Sequence, residues 1–178
     1  MDAAEIEQAI ERIARGIADR ARAGGEADAL AIVGIRRGGV HLAERLRARL
    51  GRLLGRVPPA GTLDICFYRD DLAGGGAAPV IGPTEIAFPV EGRTIVLVDD
   101  VLFTGRTVRA ALDELVDFGR PRRVWLAVLV DRGGRELPVA ADFAGLTLDV
   151  PAGSDVEVRL REGGAAADEV IVTPRRST

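Results

Sequence analysis

The stretch that most limits what this chain can fold into is residues 94–115, which read T-I-V-L-V-D-D-V-L-F-T-G-R-T-V-R-A-A-L-D-E-L. Residues 95–98 are a short apolar, mostly β-branched run, long enough for a buried strand and too short for a buried helix. Asp99 and Asp100 stand where that strand is expected to end, and Thr104, Gly105, Arg106 and Thr107 make a tight polar turn. Val108, Ala111, Leu112 and Leu115 then recur at helical spacing, with Gly119 and Pro121 as a stop signal. Strand, acidic pair, small-residue turn and helix, in that order, form one unit of a parallel α/β sheet.

Ligands of such sheets collect at the carboxyl ends of the strands, where the next helix presents unpaired backbone N–H groups. A turn of Thr, Gly, Arg and Thr lets the backbone wrap an anion and adds two hydroxyls and a guanidinium, in line with the helix dipole. That is a phosphate cradle. Two carboxylates just upstream would repel a phosphate, so they face something else, such as vicinal hydroxyls. A ligand with a phosphate at one end and a diol nearby is a ribose 5-phosphate. A plain βα turn with two solvated carboxylates explains the acidic pair but not the whole string. A Walker A loop requires G-x-x-x-x-G-K-[ST], and the chain has no lysine.

The remaining segments fit the same layout. Residues 3–22 place Ile6, Ile10, Ile13 and Ile17 on one helical face, an amphipathic cover helix closed by Gly24 and Gly25. Residues 30–35 read as a buried strand. Arg36, Arg37, Gly38 and Gly39 turn it into a helix through Ala43, Leu46 and Leu50, a second strand–loop–helix unit whose amides and arginines suit pyrophosphate or simply make a solvated basic turn. His41, the single histidine, reads as a partly exposed helix residue rather than a base. Leu63, Ile65 and Phe67 alternate as in a half-buried strand. A glycine-rich stretch follows, then Ile86 and Phe88, so residues 69–85 read as a mobile loop between two short strands. Residues 124–130 give another apolar strand ending at Asp131 and Arg132. Beyond them regular α/β alternation stops, with short strand candidates near 156–158 and 170–172.

At 178 residues the chain is expected to be one domain. The net charge of −3 argues against general nucleic-acid affinity but permits a local basic face, and all 24 basic residues are arginine. One cysteine, Cys66, no membrane-length apolar run and no signal-peptide core make a cytoplasmic protein the expectation.

V-L-V-D-D-V-L-F-T-G-R-T resembles the phosphoribosyl-diphosphate (PRPP) motif of type I phosphoribosyltransferases. With A-I-V-G-I-R-R-G-G-V, L-D-I-C-F-Y-R-D-D-L and V-D-R-G-G-R-E-L-P elsewhere, the chain looks most like the PyrR family of bifunctional pyrimidine operon attenuators and uracil phosphoribosyltransferases. The resemblance implies an α/β type I phosphoribosyltransferase fold: a mainly parallel central sheet flanked by helices, a small hood and a mobile β-hairpin loop. It implies a core of about 26–131, and a hood built from the N-terminal segment and about 132–172. Asp99 and Asp100 would hold the ribose hydroxyls. Val101, Leu102, Phe103, Thr104, Gly105, Arg106 and Thr107 would hold the 5′-phosphate, and Arg36, Arg37, Gly38 and Gly39 the pyrophosphate. Arg69 would meet phosphate charge as the loop closes. Phe143, Asp131 and Arg132 are the base-side candidates, and Mg²⁺ is implied through PRPP, with the two aspartates nearby.

Purine enzymes carry an aspartate at position 103, where this chain has Phe103, so a pyrimidine is the expected base. The family often shows histidine at 134 and Gly-Lys-Asn at 145–147; this chain has Gly134 and Gly145-Leu146-Thr147, and Arg37-Gly38-Gly39 in place of Thr-Arg-Gly. The implied activity is uracil and PRPP to UMP and pyrophosphate. The implied second role is UMP-responsive binding of pyrimidine operon leader mRNA by a homodimer or larger homo-oligomer, with Arg20, Arg22, Arg132 and Arg135 as candidate donors. The alternatives are an enzyme without the RNA role, or a phosphoribosyltransferase for another base.

Overall fold

The computed structural model describes residues 1–36, 38–65, 84–151 and 153–174. Helix α1 (Ala3–Ala23) starts on a capping box in which the Asp2 carboxylate accepts from the Glu5 N–H and Glu5 reaches back to the Asp2 N–H. Its Ile6, Ile10, Ile13 and Ile17 stripe is buried, as the spacing predicts. Strand β1 (Leu30–Ile35) leads into α2 (Gly38–Leu54), β2 (Ala60–Leu63), β3 (Thr94–Leu102), α3 (Arg106–Leu115), β4 (Arg123–Asp131) and β5 (Phe143–Thr147).

These five strands form one sheet in the order β2-β1-β3-β4-β5, every neighbour parallel. Both faces are covered, which is why β1, β3 and β4 read as continuous apolar runs. Ile32, Val96, Val98, Ala127 and Leu129 pack under α1 and α2. Val33, Ile35, Ile95, Leu97 and Val128 pack under α3 through Val108, Ala111 and Leu115. The central position of β3 puts its carboxyl end between those of β1 and β4.

Three features differ from the sequence reading. Strand β3 does not stop before the acidic pair but runs through it to Leu102, because β4 keeps pairing with it as far as Val101↔Val130 and Leu102↔Asp131. Strand β5 was not expected. Its crossover from β4, residues 132–142, contains no helix, so the usual periodic signal of a parallel unit is missing. Around Ile86 and Phe88 the described residues form a single isolated antiparallel bridge, Thr62↔Glu85. Helix α3 ends at Leu115 in a short 3₁₀ turn (Val116–Phe118) ahead of Gly119, whose φ of 136° favours glycine.

The last two strands, β6 (Ser154–Arg159) and β7 (Glu169–Pro174), pair only with each other, as an antiparallel hairpin. Helix α1 lies on the sheet rather than in this hairpin, and the N-terminal segment reaches it through Met1, which exchanges two backbone bonds of 3.0 Å with Val170. An ion-pair hub fastens the hairpin to the core: Arg45 of α2 meets Asp168 and Glu162 at 2.6 Å each and Glu7 of α1 at 3.1 Å.

The hydrogen bond from Arg45 holds the Asp168 and Glu162 carboxyls below their usual range. Stability from such a depressed carboxyl is complete above its unfolded pKa of about 4 and is lost as the pH falls through the folded value. Glu162 is 41% exposed and solvent-screened, whereas Asp168 is 9% exposed, so Asp168 dominates. Asp168→Asn is therefore expected to cost about 1–2 kcal/mol near neutrality and much less at about pH 3. Urea midpoints at the two pH values check this, and an equal loss at both contradicts it.

Candidate active site

The carboxyl ends of β1, β3 and β4 bring the two glycine-containing loops together. Asp99 is 5% exposed and its Oδ1 accepts from the Asp100 N–H at 3.0 Å. Asp100 is half-buried and its Oδ1 accepts from the Val101 N–H at 2.8 Å. Both carboxylates are thereby fixed by the backbone of their own strand.

The start of α2 sits directly on this pair. A Cβ on Gly38 would lie 2.0 Å from Asp100 Oδ2, and one on Gly39 would lie 2.2 Å from the Val98 carbonyl oxygen. Only hydrogen fits at either place, which explains the paired glycines and puts the expected pyrophosphate loop against the ribose clamp. Beside it, the Arg36 N–H donates to the Leu63 carbonyl at 2.8 Å, and its guanidinium lies 3.4 Å from the Thr62 hydroxyl. Arg37, the glycine-rich loop and Arg69 lie outside the described residues.

On the other side of the pair, Gly105 opens α3 at φ +93°, a conformation that suits glycine. Helix α3 has neither a side-chain cap nor an acidic residue in its first turn, so its positive end is left for an anion. Thr104 Oγ1 accepts from the Arg106 N–H at 3.3 Å, and the Thr104 carbonyl accepts from Glu136 and Leu137 at 3.0 and 3.2 Å. Arg106 pairs with Glu136 at 2.9 Å on the exposed rim.

The segment after β4 supports this turn. Arg135 donates to the carbonyls of Leu102 (3.2 Å), Phe103 (2.6 Å), Gly133 (3.0 Å) and Val139 (3.1 Å) and pairs with Asp131. Five acceptors occupy its fork, and Arg135 braces the turn that follows β3. Composition and spacing give no sign of this, because the Leu102 and Phe103 carbonyls it meets lie more than thirty residues away in the chain. Asp131 also accepts from the Gly133 N–H at 3.0 Å. Arg132 packs over the Phe103 ring with its guanidinium carbon 4.0 Å from the ring centre.

Phe143 belongs to β5. It opens β5 opposite Ala127, four residues or roughly 13 Å before the carboxyl end of the sheet. There it meets Trp125 edge-on at 6.0 Å, packs against Gly16 of α1 and lies under Arg20. Its contacts there are with the sheet, α1 and Arg20. Arg20 itself pairs with Asp142 at 2.6 Å, and Arg22 with Asp19 at 3.4 Å and with the Leu53 carbonyl. Their side chains remain 46% and 52% exposed.

The donor set suits Mg²⁺ of a particular kind. Among the described residues no group of three or more His, Cys, Asp or Glu could cage a metal. Two adjacent carboxylates beside phosphate-binding loops match an ion that keeps its waters and is held largely by substrate phosphates.

A family model, the phosphoribosyl transferase domain, matches residues 2–158. The hypoxanthine phosphoribosyltransferase of Trypanosoma cruzi shares the fold, with a TM-score of 0.71 across 99% of this chain and 95% of that one at 18% identity. Fold and site together define a type I phosphoribosyltransferase domain. Proteins named "Bifunctional protein PyrR" are much nearer in sequence: that of Roseiflexus sp. (strain RS-1) is 50% identical over this whole chain and 96% of its own. That of Chloroflexus aurantiacus is 51% identical over 97% of this chain and 92% of its own. The chain belongs to the PyrR family of phosphoribosyltransferases.

Proposed function

We propose that the protein transfers the phosphoribosyl group of PRPP to uracil, giving UMP and pyrophosphate. The observation that carries this reading is the meeting of three parts at one sheet edge: the Asp99–Asp100 pair, the Gly38–Gly39 start of α2 resting on it, and the uncapped start of α3. They match the diol, the diphosphate and the 5′-phosphate of PRPP respectively.

In the reaction the bond from ribose C1′ to the diphosphate breaks, a bond to uracil N1 forms, and the N1 proton is released. The sugar passes through an oxocarbenium-like state, so positioning and charge stabilisation matter more than a protein base. Asp99 and Asp100 hold the ribose hydroxyls and lend negative charge to the positive ring. Thr104, Gly105 and Thr107 with the α3 amides fix the 5′-phosphate, and the Arg36–Gly39 loop steadies the departing diphosphate. Arg69, outside the described residues, is the further candidate to meet phosphate charge. Phosphoribosyltransferases of this fold generally use Mg²⁺, which here would sit beside Asp99 and Asp100 and neutralise diphosphate charge.

Uracil as the base rests on Phe103, which puts an apolar ring where a purine enzyme has a carboxylate. In competition for limiting PRPP, uracil is expected to exceed hypoxanthine and guanine in kcat/KM by about 10²-fold or more, the usual cost of an unmet polar partner. A higher kcat/KM for either purine overturns the base assignment and favours a phosphoribosyltransferase for another base.

The relatives' name, bifunctional, favours a second activity; we propose that this is UMP-responsive binding of pyrimidine operon leader mRNA by a cytoplasmic homodimer or larger assembly. Arg20 and Arg22 are the exposed donors left for it. Binding of such a stem-loop should strengthen with UMP and fall steeply with salt. Binding equal to that of an unrelated RNA leaves the enzyme alone.

A further inference from the structure

We infer that Arg132 is a positioning residue for the base, acting through Phe103 and linking the base site to the β6–β7 hairpin. The inference rests on the proposed reaction but not on which base is used. Phe103 lies between the acidic pair and the phosphate turn, beside the place where the base must meet ribose C1′. Among the described residues it is the aromatic at the carboxyl ends of the strands. Trp125 and Phe143 pack at the other end of the sheet, Phe88 lies by Arg93, and Phe118 follows α3.

Phe103 is half-buried, and its surroundings leave it one pose. The Arg132 guanidinium covers one face at 4.0 Å. Gly134 borders the ring closely enough that a Cβ there would lie 2.5 Å from a ring carbon, and its φ of 72° already excludes most side chains. A ring held by a cation on one face and backbone at its edge can present only what remains to a ligand.

Arg132 is itself fixed from the hairpin. Its Nη2 donates to the Ser154 carbonyl of β6 at 2.7 Å, and Nη1 lies 3.9 Å from Asp155. The residue is 8% exposed, and its Nε–H is buried with no hydrogen-bond partner among the described residues. An unpaired buried donor costs stability. Packing alone does not explain an arginine here, whereas a rigid link from hairpin to ring does. Displacement of β6 is then felt at Phe103, and the hairpin becomes a lever on base affinity.

A double-mutant cycle tests this, with steady-state kinetics on whichever base the wild type converts. Arg132→Met should raise KM for the base about tenfold while KM for PRPP stays within about twofold. Arg132→Lys, which keeps the charge and stem but loses the fork to Ser154, should give a smaller rise in the same parameter. It also completes the cycle if the methionine variant folds poorly. In a Phe103→Leu background either Arg132 substitution should add less than about twofold, because the residue through which it acts is gone. Equal effects in both backgrounds, or a change confined to thermal stability or to KM for PRPP, overturn the inference. Wild-type enzyme inactive with every base would instead refute the reaction on which it rests.

Discussion

Replacing Asp99 and Asp100 together by asparagine should lower kcat/KM for PRPP by about 10³-fold or more, the scale seen when preorganised charge is removed from a transition state. The fold should survive. Asparagine keeps a side-chain oxygen for the bonds from the Asp100 and Val101 amides. The two carboxylates are rigid because β3 runs through them, so the loss should appear in kcat rather than as a general weakening of binding. Circular dichroism and a melting temperature within a few degrees of wild type establish that the variant is folded. A folded double variant with near wild-type turnover removes these residues from the ribose clamp.

The second large effect is steric. Gly39→Ala would place a methyl group 2.2 Å from the Val98 carbonyl oxygen, inside the strand that bears the acidic pair. Backbone cannot give way there cheaply, since β3 is hydrogen-bonded to β1 and β4 on both sides. Overpacking of this kind costs about 2–3 kcal/mol, which for a chain of this length lowers Tm by roughly 5–10 °C. Any relief comes from α2 backing away from the sheet, which separates the diphosphate loop from Asp100, so KM for PRPP should rise even below the melting range. Gly55→Ala is the control: its positive φ adds strain, but no atom lies near its Cβ, and it is remote from the loop. Its effect should be on stability alone. Unchanged Tm and KM in Gly39→Ala would show that α2 does not press on the strand.

What could be read from sequence divides along a physical line. Strand β1, the α1 stripe and the β3–turn–α3 unit were legible because each is decided locally, by apolar periodicity and by turn residues with few alternatives. The acidic pair and phosphate turn were legible for the same reason, since ribose and phosphate recognition needs particular groups at fixed spacing. Strand β5 was not legible, because its pairing with β4 depends on a helix-free crossover and on cover from α1. The position of Phe143 was not legible for the same reason: an aromatic at the start of an unrecognised strand gives no clue to which end of the sheet it faces. Arg135 and Arg132 look alike in sequence, two arginines flanking Gly133 and Gly134. Only tertiary contacts separate them, one as a brace for loop carbonyls and the other as a cover for Phe103. Gly134 makes room for the Phe103 ring.

The central claim is that this site joins the phosphoribosyl group of PRPP to uracil. The most direct test is a stoichiometric turnover measurement with purified protein, PRPP, Mg²⁺ and uracil, following UMP and pyrophosphate together. Equal amounts of the two products are expected, both abolished by the Asp99→Asn, Asp100→Asn double substitution. Pyrophosphate release without UMP, or nucleotide formed only when a purine replaces uracil, would contradict it.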